Sequence, residues 1–285
     1  MKLAYLISAH RYPDQLRRLV AALHDPANYY VIHMDRKAGS DCHDAVRALT
    51  RDHPNVAALE SERCTYGGYS LVNVTLRGIA HLVRRADDWG FFINLSGQDF
   101  PLRPQAAIRA GLEGRASSNF LAWFDPIREP RWNHALRRIQ RVYVEVPFKR
   151  RPLRVLPFPI ERRWMIRGST WFGGEAWMTL NRASCEYLAL SPEVTRYRRF
   201  FRNTKIPDES FFQTVILNSR FRDSVINDHG RYIDWTSGPE YPRVLRMEDV
   251  PRLERSPAFF VRKVDATVDG GLVDWLERRT KPAAS

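Results

Sequence analysis

The stretch WGFFINLSGQDFPL, residues 89–102, constrains the fold of this chain more than any other. Residues 91–95 are an apolar run of strand length that ends abruptly in Ser96, Gly97, Gln98 and Asp99, before Pro101 stops further pairing. Taken alone this is a buried strand with an ordinary turn. In an α/β sheet, however, ligands bind just beyond the carboxyl ends of such strands, which makes Ser96, Gln98 and Asp99 candidates for a ligand pocket.

The surrounding chain alternates strand and helix signals. Strands are predicted over 2–9, 29–34, 56–59 and 90–95, and amphipathic helices over 14–23, 41–49 and 70–84, the last with Val72, Leu76, Ile79 and Val83 at helical spacing. This βαβα rhythm predicts an α/β fold with a mostly parallel central sheet flanked by helices. Beyond it the spacing predicts a strand within 171–180, helices over 182–190 and 207–217, a short strand over 231–235 and a terminal helix over 268–279. The 285 residues, 44% of them hydrophobic, suffice for a proper core; with no internal repeat or low-complexity tract they read as a single domain.

Between 126 and 167 the pattern dissolves into a basic, proline-bearing segment carrying Arg128, Arg131, Trp132, Arg137, Arg138, Arg141 and further arginines. It reads as a solvated, mobile insertion. The net charge of +13 would suit nucleic acid, peripheral contact with an anionic membrane, or a phosphorylated substrate. A basic nucleic-acid-binding protein, with Trp132, Tyr143, Phe148 and Trp164 interleaved among the cations, is the alternative from another class. No nucleic-acid motif accompanies the charge, and nucleic acid is not the expected partner. No apolar run is long enough to span a membrane and the N-terminus turns polar after one strand's length, so the expected compartment is the cytoplasm. Cys42, Cys64 and Cys185 are widely spaced and read as buried thiols.

Pro207, Asp208 and Glu209 form an ordinary helix opening, with proline first and acids at the positive end of the dipole. Their functional reading makes Glu209 a general base, ionised near neutral pH. Arg262 and Lys263 follow an apolar strand, with Arg243 and Arg246 upstream; such cations are commonly just solvated, yet an adjacent Arg and Lys suit the grip on a diphosphate. His33 reads as a core residue, and Asp35 at the end of its strand as an acceptor for a ribose or base. No Asp-x-Asp triplet, Gly-x-Gly-x-x-Gly fingerprint or phosphate loop occurs. Tyr66 to Ser70 reads as a glycine turn with Ser70 capping a helix. Gly174, Glu175 and Trp177 combine backbone permissiveness with an aromatic face.

In this order the segments KLAYLISAH, YVIHMDRK, CTYGGYSLV, WGFFINLSGQDFPL, FGGEAWMTLNR, IPDESFFQTVILNS, RYIDW and FFVRKVD resemble the branching-enzyme glycosyltransferases. These comprise the core-2/I-branching N-acetylglucosaminyltransferases and the peptide O-xylosyltransferases. The resemblance implies a GT-A-like fold, with a nucleotide-binding half over 1–125 and an acceptor and diphosphate-binding half over 126–285. It implies an inverting transfer from a UDP-sugar, UDP-xylose or UDP-N-acetylglucosamine, to an acceptor hydroxyl, with no cofactor and no divalent metal. Glu209 matches the position of the base, Asp35 that of the uridine contact, and Lys263, with Arg262 or Arg243, that of the diphosphate cations. Tyr232 and Asp234 match the acceptor side, and Arg131 and Trp132 a basic acceptor-contacting stretch. The membrane anchor and most cysteines of the eukaryotic members are missing, which implies a bacterial setting. The expected acceptor is a glycan, a lipid-linked acceptor or a protein. A catalytically inactive glycan-binding relative is the further alternative, against which Glu209 and Lys263 both argue.

Overall fold

The computed structural model describes all residues except 126–127, 130–132, 147–148, 150, 155–165, 167, 239–240 and 282–285, and the side chains of 133–134. The chain divides into two compact units, each assembled from separate segments: residues 1–60, 88–116 and 230–285 form the first, and 61–87 with 117–229 the second. The units are interleaved along the chain, each drawing on residues from both sides of several breaks. Reading from one end cannot reveal this, because long-range packing, not composition, joins 230–285 to the N-terminal strands.

The first unit is built on four strands, β1 (Lys2–Ala9), β2 (Tyr29–Met34), β3 (Val56–Leu59) and β4 (Trp89–Ser96), in the order β4-β1-β2-β3. All three of these pairings are parallel. β1 and β4 are buried along almost their whole length, as strands covered on both faces must be. α1 (Pro13–Leu23) buries Leu16, Leu19, Val20 and Leu23, one stripe at helical spacing. α2 (Ser40–Asp52) and α4 (Gln105–Glu113) follow the same logic with their own buried stripes. A second, three-stranded sheet joins β5 (Asp99–Pro101), β11 (Arg231–Ile233) and β12 (Phe260–Arg262) in the order β11-β12-β5. The short α9 (Val250–Arg255) leads into β12. α10 (Gly270–Thr280) is capped by Asp269, whose carboxylate accepts from Leu272 N at 3.0 Å.

The second unit carries β6 (Asn119–Phe124), β9 (Gly173–Asn181) and β10 (Val225–Ile226), with β10 parallel and β9 antiparallel to β6. α3 (Tyr69–Arg85), α6 (Arg182–Leu190), α7 (Val194–Phe201) and α8 (Phe211–Leu217) supply its helical layer, and Phe201, Phe211 and Phe212 are among its largest fully buried side chains. The basic segment is not a structureless insertion. Asn133–Gln140 forms helix α5, and β7 (Tyr143–Val144) pairs with β8 (Leu153–Arg154). The α/β class with predominantly parallel pairing is therefore borne out. Among the described residues no helix is long and apolar enough to cross a membrane. Cys42 and Cys185 are buried and Cys64 half-buried, all as free thiols.

Candidate functional site

In the first unit the carboxyl ends of β1, β2 and β4 and the turn after β12 gather the polar residues. Asp35 ends β2 and is folded onto its own turn: its carboxylate accepts from Lys37 N at 2.8 Å, with Lys37 Nζ at 3.6 Å. Ser96, Gln98 and Asp99 brace the cations instead of standing open. Asp99 is fully buried and receives Arg262 Nη1 at 3.1 Å, while Ser96 Oγ accepts from the same nitrogen at 2.6 Å. Gln98 Oε1 accepts from Arg11 Nη2 at 2.8 Å.

Lys263 differs from its neighbours. Its backbone is pinned, since its carbonyl accepts from Leu245 N at 2.9 Å and the next amide, Val264 N, reaches Gln98 O at 2.8 Å. Its ammonium makes no ion pair among the described residues, and burial, Arg262 and Arg11 all push its pKa below the usual lysine value, with Asp265 opposing them. His10 is held neutral-leaning by burial first and then by Arg11; it is also within electrostatic reach of Asp35, Lys37 and Lys263. Like charges set this close are costly unless an anion joins them. His10 and Arg11 escaped the reading of the sequence, although they end β1 by the same rule that singled out Asp35 and Ser96.

Two further residues hold this cluster in place. Gln15, buried on α1, donates to Gly97 O at 2.8 Å and Val264 O at 3.1 Å and accepts from Ala266 N at 2.8 Å, tying the turn after β4 to the turn after β12. Tyr12 takes the left-handed conformation at φ 61° and donates its hydroxyl to Asp265 at 2.8 Å. The expected diphosphate cation Arg243 is already engaged: Asp234 meets it at 2.7 Å, and Asp249 also pairs with it. Burial acts to raise the Asp234 carboxyl but is outweighed by the hydrogen bonds from Thr236 and Arg243, which hold it down to about 2. Arg243 and Asp234 thus form a structural clamp next to half-buried Tyr232.

The Arg262–Asp99 pair yields a stability prediction. Asp99→Asn removes the fully buried carboxylate that Arg262 pairs with, and breaking such a buried pair costs roughly 3–5 kcal/mol. A melting temperature lowered by about 10 °C is expected in calorimetry. A wild-type melting curve would remove the pair from the account.

In the second unit the site centres on Glu209. The predicted continuous helix over 207–217 is broken: Pro207–Glu209 is a single 3-10 turn, Ser210 departs from helical geometry at φ −154°, and α8 begins at Phe211. Ile206, immediately before the turn, sits at φ 51° and ψ 52°. For a β-branched residue preceding proline this is a strained conformation, of the kind held only where packing over-determines it. The packing is present: Ile206 N donates to Gly67 O at 2.8 Å, and Gly67 itself is left-handed at φ 70°. The Tyr66 to Ser70 turn therefore serves to seat this loop. Ser70 is not the cap of α3, which starts after Gly68; its N and Oγ both meet the Glu145 carboxylate at 2.7 Å.

Glu209 Oε2 receives Arg138 Nη1 at 2.6 Å. Burial pushes the Glu209 carboxyl up, and Arg138 pulls it back; Asp208 beside it is also raised, by burial and by the charge of Glu209. What opposes burial at Glu209 is thus an arginine from α5 and not a helix terminus. Glu175 lies 3.2 Å from His229 Nε2, and its carbonyl accepts from Gln213 Nε2 at 2.6 Å. Gly174 approaches closely, but it approaches protein: a Cβ there would stand 2.1 Å from Ala122 O. Trp177 is half-buried. Arg131 and Trp132 lie outside the described residues. Among the described residues no group of three His, Cys, Asp or Glu side chains converges as metal ligands do.

A sequence profile of the family described as Core-2/I-Branching enzyme matches residues 3–254. The chain belongs to this family. Curated relatives of this branching-enzyme chain include a xylosyltransferase of Ciona intestinalis, 27% identical over 296 residues, 97% of this chain and 34% of that protein. Xylosyltransferase 1 of Rattus norvegicus is 29% identical over 301 residues, 97% and 35% of the respective chains. The chain spans about a third of the length of these relatives. Among solved structures, galactosyltransferase LgtC in complex with donor and acceptor sugar analogs is similar with a TM-score of 0.43 at 9% identity, over 100% of this chain and 98% of that one. S. aureus TarS 1-349 gives 0.33 at 10% identity over 72% and 57%. Within the branching-enzyme family match fall His10, Arg11, Asp35, Arg138 and Glu209, whereas Arg262 and Lys263 lie beyond its last matched residue.

Proposed function

We propose that this branching-enzyme chain is an inverting glycosyltransferase that moves a sugar from a UDP-sugar to an acceptor hydroxyl, with Glu209 as general base and without a divalent ion. Glu209 takes the acceptor proton as the acceptor oxygen attacks the anomeric carbon. The bond from that carbon to the diphosphate breaks, and the electron pair leaves with UDP. Lys263, with Arg11 and Arg262 around it, meets the charge growing on the departing diphosphate, and Asp35 holds the uridine. Such fixed cations stabilise developing charge without reorganising during the reaction.

The observation that carries this reading is the Lys263 ammonium, which makes no ion pair among the described residues and is pressed by burial, Arg262 and Arg11 more than Asp265 relieves it. An anionic ligand is what this arrangement lacks. The family match and the xylosyltransferase relatives support a sugar nucleotide as that ligand, with UDP-xylose or UDP-N-acetylglucosamine as donor.

The decisive experiment is a thermal-shift series with UDP, UDP-xylose and UDP-N-acetylglucosamine in excess chelator. Preferential binding stabilises by about 2.7 kcal/mol at a hundredfold excess over Kd, and a clear rise in melting temperature is expected. Stabilisation only after manganese is added would end the metal-free part of the reading. No stabilisation under either condition would end the nucleotide reading as a whole.

A further inference from the structure

The ion pair between Arg138 and Glu209 is supported by more than its own 2.6 Å contact. Arg138 O accepts from Lys205 N at 2.9 Å, and Tyr143 N donates to Asn203 O at 3.0 Å while Asn203 Nδ2 returns to Tyr143 O at 3.2 Å. The end of α5 and the residues after it are thereby stitched to residues 203–205, the approach to the strained Ile206 and to Glu209. The two side chains are 25% and 35% exposed, shielded enough for the charge pair to matter and open enough for a substrate to reach the carboxylate.

Asp208 stands beside Glu209 but receives nothing comparable, and its buried Oδ1 has no hydrogen-bond partner. The charged groups facing the two acids are Arg138 from α5, Glu175 from β9 and Glu145 from the residues after β7. Glu145 is committed to Ser70, and Glu175 lies against His229. Two adjacent acids facing further carboxylates and one arginine cannot both ionise cheaply, so the geometry of that arginine decides between them.

We propose that Arg138 is a positioning residue that, by pairing with Glu209 and not with Asp208, selects Glu209 as the ionised member of the pair. This rests on the reading of Glu209 as the base. Asp208 keeps its proton, Glu209 takes the proton of the acceptor hydroxyl during transfer and returns it to water after the product leaves. The segment that seemed from its composition to be a solvated insertion thus supplies the group that prepares the base.

The test is the pH dependence of kcat/KM for donor turnover in wild type, Arg138→Lys, Arg138→Met, Asp208→Asn and Glu209→Gln, beside a carbon-13 titration of the carboxyl groups. Losing Arg138 should move the acidic limb to higher pH by about one unit or more in the Met variant and by less in the Lys variant, with the plateau above it recovered. Asp208→Asn replaces a group that stays protonated while Glu209 titrates and should leave the limb near its wild-type position; a limb moved to lower pH would mean that Asp208 carries the charge and would overturn the selection. If Glu209→Gln is inactive while both Arg138 variants keep the wild-type limb and a uniformly lowered rate, the positioning role is overturned and the base stands. If Glu209→Gln keeps its activity, the base itself is wrong. An unchanged Glu209 titration in Arg138→Lys overturns the inference by a route that needs no turnover, even where the Met variant fails to fold.

Discussion

If Glu209 is the base, Glu209→Gln is expected to lower the rate of sugar transfer by on the order of 10²–10⁴-fold while leaving UDP binding intact. The amide keeps the shape of the side chain and can still face Arg138, so the turn after Ile206 has no steric reason to move. On the proposed mechanism, what the substitution removes is the lone pair that accepts a proton as the acceptor oxygen attacks. Its effect on folding is a balance of two opposed terms. Burial disfavours the Glu209 carboxylate, so neutralising it relieves a cost, but Arg138 at 2.6 Å then loses its counter-charge. The melting temperature should therefore change far less than the rate. Initial rates with UDP-xylose and UDP-N-acetylglucosamine, measured beside a UDP binding isotherm, separate the two. A variant that retained more than about a tenth of the activity would exclude Glu209 as the base.

Such a clean separation of chemistry from folding depends on how the turn is built, and that construction was only partly legible in the sequence. Local signals found the elements well. The strand over 29–34 and the helix over 182–190 fall where periodicity places them, because buried runs and amphipathic stripes are properties of neighbours in the chain. The same local logic failed at 207–217, where proline followed by two acids reads as a helix start. The strained Ile206 before it and the break at Ser210 are imposed by Gly67 and by α3 and β9, all distant in sequence. Ser70 failed for the same reason: the carboxylate that fills its capping role, Glu145, lies 75 residues away.

The candidate site shows the same division. Asp35 and the turn from Ser96 to Asp99 were singled out because the ends of parallel strands are where ligands bind, a rule readable from the pattern of strands alone. His10 and Arg11 obey that rule at β1, and applying it evenly would have found them. Gln15 offered no such signal, since a polar residue in an amphipathic helix ordinarily faces water. Arg138 was hidden among many arginines, and only its tertiary partner distinguishes it. For Arg243 the type of residue was informative, but its partners were not. A guanidinium suits a diphosphate and a carboxylate equally well, and only the fold reveals that Asp234 and Asp249 have already claimed it.

In the proposed mechanism Lys263 is the cation on which donor chemistry turns, and Lys263→Met is expected to cost about 10²–10³-fold in kcat/KM. The sign of its effect on stability should be the opposite of an ordinary loss of charge. In the ligand-free protein the ammonium is half-buried and pressed by Arg262 and Arg11, which is why its pKa lies below the usual lysine value. A group whose charged form is disfavoured in the fold weakens that fold at neutral pH, where the unfolded chain carries the charge freely. Removing it should leave the melting temperature unchanged or raise it, while the rise produced by saturating UDP shrinks. A structural lysine would show the reverse, with melting temperature and activity falling together. Arg11 gives the comparison: its side chain is already bound to Gln98, so Arg11→Met should weaken UDP binding less than Lys263→Met and should lower stability. Equal loss of UDP stabilisation in both variants would mean that the cations act as a diffuse field. A larger loss at Lys263, without a stability penalty, would mean that this site stores unfavourable charge in the empty protein and releases it when the diphosphate arrives.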